Sequence, residues 1–558
     1  MLDHHFKSAQ KNILLFLPIF LIASPLWVPI VEKNFKSGLW LLPDSLLWLG
    51  ITLLCGMLAY HVIPDRKLSQ VESLFNTTRY RSLLILALLL FSLLASIFVN
   101  KNILHGFMNS ADEHSCRFLA ECIKDGKWYA RPHPLQEFFD VTHVGNKNGK
   151  WFSVYPPGWP LIYAVGLQFH IQDWINPILA LIALFLFLKI GEKVFGFSVS
   201  YWGLSLIAFT PFFLFNNASY FSHTTCLLAV AIFLCFYFRW RENRSVMNAL
   251  ICALSIGFGL GTRYLTMASI AAPFILYEII LLYLKRQRWT RSHLVFAITL
   301  LAMFVLNLYY NFIITGKFFE APNHYYHRWE RLGFHSDYTF FDALKFIINR
   351  MFFLGDWFPP FLIVLFIASL FQKGKRSPEE WLVRFAFFYP VIGYVFYYSW
   401  GGNQYGPRYY FEGLPFFAFT LADGIKTFWK SGDLSKRKFL IGALTCALIG
   451  NAYLLFKQGD FCNQMSSQRK ALYDLADATL KKPSIVFIRG FLGSKLVMAE
   501  EDAVRNSPDL SGRILYAHDL GEKNIELTEY YPERQFFLGS YDAKQKSANV
   551  TPYPVQKQ

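Results

Sequence analysis

Charge is what this 558-residue chain has least of: Asp, Glu, Lys and Arg together make up 16% of it, where soluble domains carry about 25%. With 54% hydrophobic and 18% aromatic residues, that shortage excludes an ordinary soluble globular protein and fits a polytopic membrane protein. Metal-type cysteine spacing is also missing. Of the eight Cys, five (Cys55, Cys226, Cys235, Cys252, Cys446) fall in apolar runs, where a small buried hydrophobe is expected. Neither a phosphate loop nor a glycine-rich dinucleotide fingerprint occurs, which excludes a soluble nucleotide site of those kinds. The first apolar run lacks a small-residue cleavage site and is followed directly by another, so it reads as an uncleaved helix.

A formal charge of +16 raises the question of nucleic acid, and its location answers it. From residue 458 onward 13 Lys/Arg face 13 Asp/Glu, which leaves 41 against 25 in the first 457 residues. The excess belongs to the membrane part and marks topology rather than a nucleic-acid partner.

Apolar runs long enough to span roughly 30 Å of hydrocarbon occur at 13–31, 39–61, 81–99, 174–190, 198–217, 222–240, 246–262, 264–284, 292–314, 351–371, 381–400, 408–429 and 439–457, about 13 candidate helices. With the N-terminus in the cytoplasm, alternate short loops collect the basic clusters around Arg66/Lys67/Arg79/Arg81, Lys189/Lys193, Arg239/Arg241/Arg244, Lys285–Arg291, Lys373–Arg384 and Lys426–Lys438. The opposite short loops hold only Lys33, Lys36, Arg263 and Arg408. The positive-inside rule then places the loops at about 100–158 and 315–350, and everything from 458, on the extracytoplasmic side.

The expected organisation is an all-α polytopic membrane protein with a small C-terminal α/β extracytoplasmic domain. Residues 1–80 hold two extra N-terminal helices, 81–457 the membrane domain, and 458–558 the soluble domain, whose runs "SIVFIRG", "RILYAHDLG" and "QFFLGSY" have β character. In the first large loop, Cys116, Leu119, Ala120 and Ile123 are spaced for an amphipathic helix on the membrane surface. An Asn-Lys-Asn-Gly turn follows, implying ordered loop or hairpin, and then a short apolar segment, Trp159–His170, too short to span.

Chemistry-bearing residues are few and cluster on the outer side. Asp112 and Glu113 in "SADEHSCRFLAE" fit two roles. They can cap a helix N-terminus, with Ser110 or Asp112 accepting backbone N–H bonds, or one carboxylate can serve as a general base toward an acceptor hydroxyl. Adjacent acids on a helix point about 100° apart, so each can do a different job; Asp112 is the first candidate base. Arg263 in "GLGTRYLTM" sits in a turn between apolar helices and needs an anionic partner, either a lipid headgroup or carboxylate, or the phosphate of a bound lipid substrate. Arg408 in "GGNQYGPRYYFEGLPF" stands among glycines and interface aromatics such as Tyr409, placed to close on an anionic headgroup. His223 opens a helix on the same side as a cap or interface histidine. His324 and His327 share i,i+3 spacing, but a metal site would need further ligands.

Together the acidic pair in the first outer loop, "YPPGWP" at its end, "GTRYLT", "GPRYY" and a soluble outer C-terminal domain resemble the GT-C superfamily of membrane glycosyltransferases. These use polyprenyl-phosphate-linked sugars; protein O-mannosyltransferases and the lipopolysaccharide aminoarabinose or galacturonic acid transferases are examples. The resemblance covers about residues 80–430. It implies Asp112 as the first-loop catalytic acid with Glu113 beside it, a loop motif of Tyr155, Pro156 and Pro157, and Arg263, Arg408, His223 and Tyr409 toward the donor's phosphate. The implied partners are a polyprenyl-phosphate sugar, an envelope glycan, lipid or protein acceptor, and membrane lipids. The implied location is a bacterial cytoplasmic membrane; no cofactor is required, and a divalent metal is compatible. Two other classes share these residues: a flippase of lipid-linked sugars, which needs no base, and an inactive scaffold subunit.

If Cys116 and Cys122 share one helix, six residues apart, they are too distant to form a disulfide. Mass spectrometry of the non-reduced protein is expected to find both thiols free; a bond between them would overturn the single-helix reading.

Overall fold

The computed structural model describes residues 17–26, 28, 41–65, 80–327, 331–372, 374–399, 401–431, 433–491, 493, 496–542 and 545–554. Residues 13–16, 27 and 29–31 of the first apolar run, and Lys33, Lys36, Arg66, Lys67, Arg79 and Lys373, lie outside the described residues. Among those described, six helices are long and apolar enough to cross a membrane: Leu42–Val62, Arg81–Ile103, His223–Asn243, Val246–Tyr283, Arg291–Thr315 and Leu434–Thr479. A seventh span results if Phe197–Ala208 and Pro211–Ala218, bent by 71°, are taken as one. The chain is a multi-pass membrane protein; among the described residues, fewer helices are long and unbroken than the 13 apolar runs imply.

Backbone chemistry explains the difference. The run 351–371 is divided at Phe358, which is extended, and at Pro359-Pro360, giving Phe340–Trp357 and Pro360–Leu370; a residue preceding proline is pushed out of the helical region. The run 381–400 becomes Pro378–Phe385, Phe388–Gly393 and a turn of 3₁₀ helix, Tyr394–Phe396. The run 408–429 opens as 3₁₀ helix, Arg408–Gly413, before Leu414–Ser431.

Two expected helices, 246–262 and 264–284, form the element Val246–Tyr283, which breaks at Arg263 (φ −146°, ψ 82°). The arms fold back on each other: a Cβ added at Gly259 would come within 2.6 Å of Met267 Cγ, and Arg244, just before the first arm, reaches Glu278 on the second at 2.8 Å. The tight turn expected at Arg263 is therefore present.

The first large loop is ordered throughout. Its helix, Ala111–Lys124, does not lie on a surface as its apolar spacing implies; Cys116 and Ala120 pack on Trp159 and Tyr163, Leu119 on Phe152 and Tyr310, and Phe118 and Cys122 on the C-terminal sheet. Two short strands, β1 (Val144–Lys147) and β2 (Lys150–Ser153), pair antiparallel around Asn148-Gly149. Both turn residues have positive φ (53° and 69°), the combination that matches strand twist in two-residue hairpins and that Asn-Gly supplies at low cost. The apolar segment after the loop is the helix Gly158–Gln168.

Beyond residue 458 the helix Leu434–Thr479 runs on without a break for a total of 46 residues. It leads to a four-stranded sheet of order β4-β3-β5-β6, comprising β3 (Ser484–Ile488), β4 (Ile514–His518), β5 (Gln535–Asp542) and β6 (Ser547–Pro552). The central strand β3 is buried along its length and pairs parallel with both neighbours, as its unbroken apolar pattern requires. One side of the sheet packs against the first loop: Ile485 and Phe487 share a core with Phe118, Phe138, Phe139 and Trp151.

Truncating this shared core should loosen the loop before the membrane helices. Phe487→Ala is expected to cost about 3–5 kcal/mol and to raise hydrogen exchange across residues 141–154, with exchange in His223–Asn243 unchanged; equal exchange in the loop would sink the idea.

Candidate active site

Ser110 is extended (φ −136°, ψ 158°) and starts the Asp112 helix with a capping box. Its hydroxyl accepts the Glu113 N–H at 3.3 Å, and the Glu113 carboxylate accepts the Ser110 N–H at 3.0 Å. Glu113 Oε1 also accepts the Tyr220 N–H at 2.9 Å, joining the loop to the turn before His223. Glu113 is thus fully occupied with backbone, and burial pushes its carboxyl up to about 7. Of the two acids, one is a structural cap and the other is left to face a cavity.

Asp112 lines a cavity of about 280 Å³ together with Tyr155, Pro156, Arg263, Arg408 and Tyr409. Six residues that the sequence motifs single out therefore meet in one place, although they come from four separate segments of the chain. Its two oxygens are engaged differently. Oδ1 accepts the Tyr155 hydroxyl at 2.5 Å and lies 3.2 Å from His143 Nε2, while Oδ2 is paired with Arg408 Nη2. Burial, the largest single influence, would raise this carboxyl; Arg408, His143 and Tyr155 together outweigh it and hold it at about 2.

Arg408 is 8% exposed and lies 4.0 Å above the Phe221 ring. Its Nε and Nη1 make no hydrogen bond. Beside it Arg263 pairs with Glu412 at 3.2 Å, donates to the Tyr394 hydroxyl at 2.8 Å and faces Tyr409. Glu412 is fully buried and also meets His223 Nδ1 at 3.2 Å. The partner that Arg263 requires is thus a carboxylate of this chain. His223, Glu113 and Pro157 stand behind the cavity wall rather than in it.

The "YPPGWP" segment has a local logic. Tyr155 supplies the hydroxyl to Asp112, Pro156 lines the cavity, and Pro157 precedes the first turn of Gly158–Gln168. Gly158 rests against the Arg263 turn so closely that a Cβ there would meet Thr262 Oγ1 and come 2.8 Å from the Gly261 carbonyl oxygen. Trp159 donates from Nε1 to the Tyr220 carbonyl at 2.8 Å. The segment couples the Asp112 loop to the arginine turn.

The C-terminal part reaches the same helix start. Arg505 Nη1 donates to the Met108 carbonyl and Arg469 Nη1 to the Asn109 carbonyl, just before the Ser110 cap. Asn109 in turn donates to Ser466 Oγ at 2.9 Å.

His143, Glu412, Tyr394 and Arg350 were not marked by sequence motifs. Glu412 carried a usable signal, being an acid inside the apolar run "YYFEGLPFF". Arg350, 2% exposed and 4.7 Å from the Tyr409 ring, is another charge buried in a largely apolar stretch. His143 carried none. His327 meets His143 Nδ1 at 2.9 Å; among the described residues no group of three or more His, Cys, Asp or Glu is arranged to hold a metal ion.

Neither a family model nor a curated protein matches the sequence. Among solved structures, ArnT from Cupriavidus metallidurans bound to undecaprenyl phosphate aligns at 10% identity over 82% of this chain and 93% of that one, with a TM-score of 0.48. Its apo state aligns at 12% identity over the same shares with a TM-score of 0.49. The Archaeoglobus fulgidus oligosaccharyltransferase in complex with Zn and sulfate aligns at 13% identity over 81% of this chain and 68% of that one, with a TM-score of 0.44.

The depressed Asp112 carboxyl fixes the sign of a pH effect. Its ion pair stabilises the fold above the ordinary carboxylate value of about 3.9 and that contribution is lost as pH falls through about 2. The stability difference between wild type and Asp112→Asn, measured by thermal unfolding in detergent, should stay level from about pH 7 to about pH 5 and narrow below about pH 4; a difference that grows on acidification would contradict the assignment.

Proposed function

We propose that this protein is a membrane glycosyltransferase that moves one sugar from a polyprenyl phosphate to an envelope glycan, lipid or protein acceptor, with Asp112 as general base. The observation that carries the proposal is the buried Arg408. Two of its guanidinium nitrogens are without hydrogen bonds, and it stands in the same cavity as an ionised carboxylate. Such a guanidinium is suited to donating N–H bonds to the anionic oxygens of a phosphate. The motif resemblance to GT-C transferases supports the same assignment independently of the cavity.

The chemistry follows from the charges. The acceptor oxygen attacks the anomeric carbon of the donor sugar, the bond from that carbon to the phosphate oxygen breaks, and the lipid phosphate leaves with the electron pair. The acceptor proton passes to Asp112. A carboxylate held at about 2 is a weak base, so donor binding has a second effect: a phosphate that draws Arg408 onto itself removes the main opposing charge from Asp112 and raises its basicity. Arg263, already neutralised by Glu412, adds positive potential to the departing phosphate without an unpaired charge in the empty site. A volume of about 280 Å³, just below the usual range of about 300–1,000 Å³ for small-molecule sites, suits a single sugar better than an oligosaccharide. The cavity would open to the extracytoplasmic side of a bacterial cytoplasmic membrane, where a flipped donor meets its acceptor.

Membranes containing wild type, Asp112→Asn, Arg408→Gln or Glu113→Gln at matched expression should be given labelled polyprenyl-phosphate sugars. Wild type is expected to consume one donor; Asp112→Asn should fall by about 10²–10⁴-fold, the usual range for general-base loss. Arg408→Gln should lose donor use strongly, and Glu113→Gln, which keeps the cap, should lose far less. Equal consumption by wild type and Asp112→Asn would exclude base catalysis there, and donor movement without product would favour a flippase.

A further inference from the structure

We propose that His143, held by His327, is a positioning residue that determines which oxygen of Asp112 acts as the base; the inference rests on the transfer reading above. Asp112 divides its partners between its two oxygens, and His143 stands on the non-reacting side, 3.2 Å from Oδ1. Its backbone is left-handed (φ 65°), a conformation few non-glycine residues adopt. Its carbonyl accepts the Ser115 hydroxyl at 2.6 Å and the Val154 N–H at 3.1 Å. Ser115 lies on the Asp112 helix, so His143 is tied to that helix through its backbone as well as through its ring.

Ring chemistry fixes the direction of the bonds. An ionised carboxylate only accepts, so the His143 proton facing Oδ1 sits on Nε2, and in the neutral ring Nδ1 is left as an acceptor. His327 Nε2 lies 2.9 Å from that Nδ1 and can donate to it, which selects the Nε2–H tautomer of His143. Oδ1 then receives two donors, Tyr155 and His143, and Oδ2 has Arg408 alone. When the donor phosphate engages Arg408, Oδ2 becomes the free basic atom while the carboxylate plane stays fixed. Without His143 a single bond from Tyr155 restrains the broad carboxylate torsion, and the proton-accepting oxygen is no longer defined.

The test combines kinetics with ¹⁵N NMR of histidine-labelled protein in nanodiscs. His143→Ala is expected to lower kcat by about 10²-fold, the scale of a misplaced catalytic group, with the donor KM unchanged. His327→Ala should lower kcat in the same sense and shift His143 away from the Nε2–H tautomer. His327→Gln, which can still present an N–H, should recover most of both losses. An Nδ1–H tautomer in the wild-type protein, or full kcat in a folded His143→Ala, would overturn the inference alone. A wild type that consumes no donor would instead overturn the transfer reading and this inference with it.

Discussion

The interaction on which the rest depends is the buried ion pair between Asp112 and Arg408. Removing two charges from water costs several kcal/mol per ion even after relaxation, so the pair persists only where its surroundings supply compensating contacts. Tyr155 and His143 hold one carboxylate oxygen, the Phe221 ring lies under the guanidinium, and the Arg408 N–H is bonded to Gly402 and Gly406 carbonyls. These contacts come from three segments, so the outer loop, the turn before His223 and the glycine-rich stretch are all drawn to one point. A second pair, Arg263 with Glu412, repeats the pattern beside it. Two cations and two acidic side chains thus face one another in a low-dielectric wall.

Helix geometry decides which acid is free. Glu113 is at the third helical position, where its side chain reaches back to the Ser110 N–H, and it cannot also face the cavity. Asp112, one residue earlier and turned by about 100°, faces inward. Of the two roles that the sequence allows for the pair, Glu113 fills the cap, and Asp112 is the acid left facing the cavity.

Much of the site was legible because charge in an apolar chain is conspicuous. Asp112, Arg263 and Arg408 stand out against their neighbours, and the Arg263 turn follows from two apolar runs with no room for a loop. The long runs near 351–371 and 381–400 misled for the converse reason: hydropathy registers burial, and Pro359-Pro360 and Pro390 interrupt the backbone without lowering it. The apolar stripe of the Asp112 helix implies a surface position, yet a helix packed by membrane helices on one side and a sheet on the other also buries His114 and Ser115. His143 was invisible because its role depends on a left-handed backbone and on His327, 184 residues away in sequence.

The hold that Arg505 has on the Met108 carbonyl spans 397 residues of sequence. During synthesis the membrane helices can assemble while the chain is still growing, but the start of the Asp112 helix lacks this clamp until Arg505 has emerged, and the loop lacks its facing sheet until the strands from Ser484 onward have followed. A chain cut anywhere before Arg505 would therefore carry the Asp112 helix with its first turn unclamped.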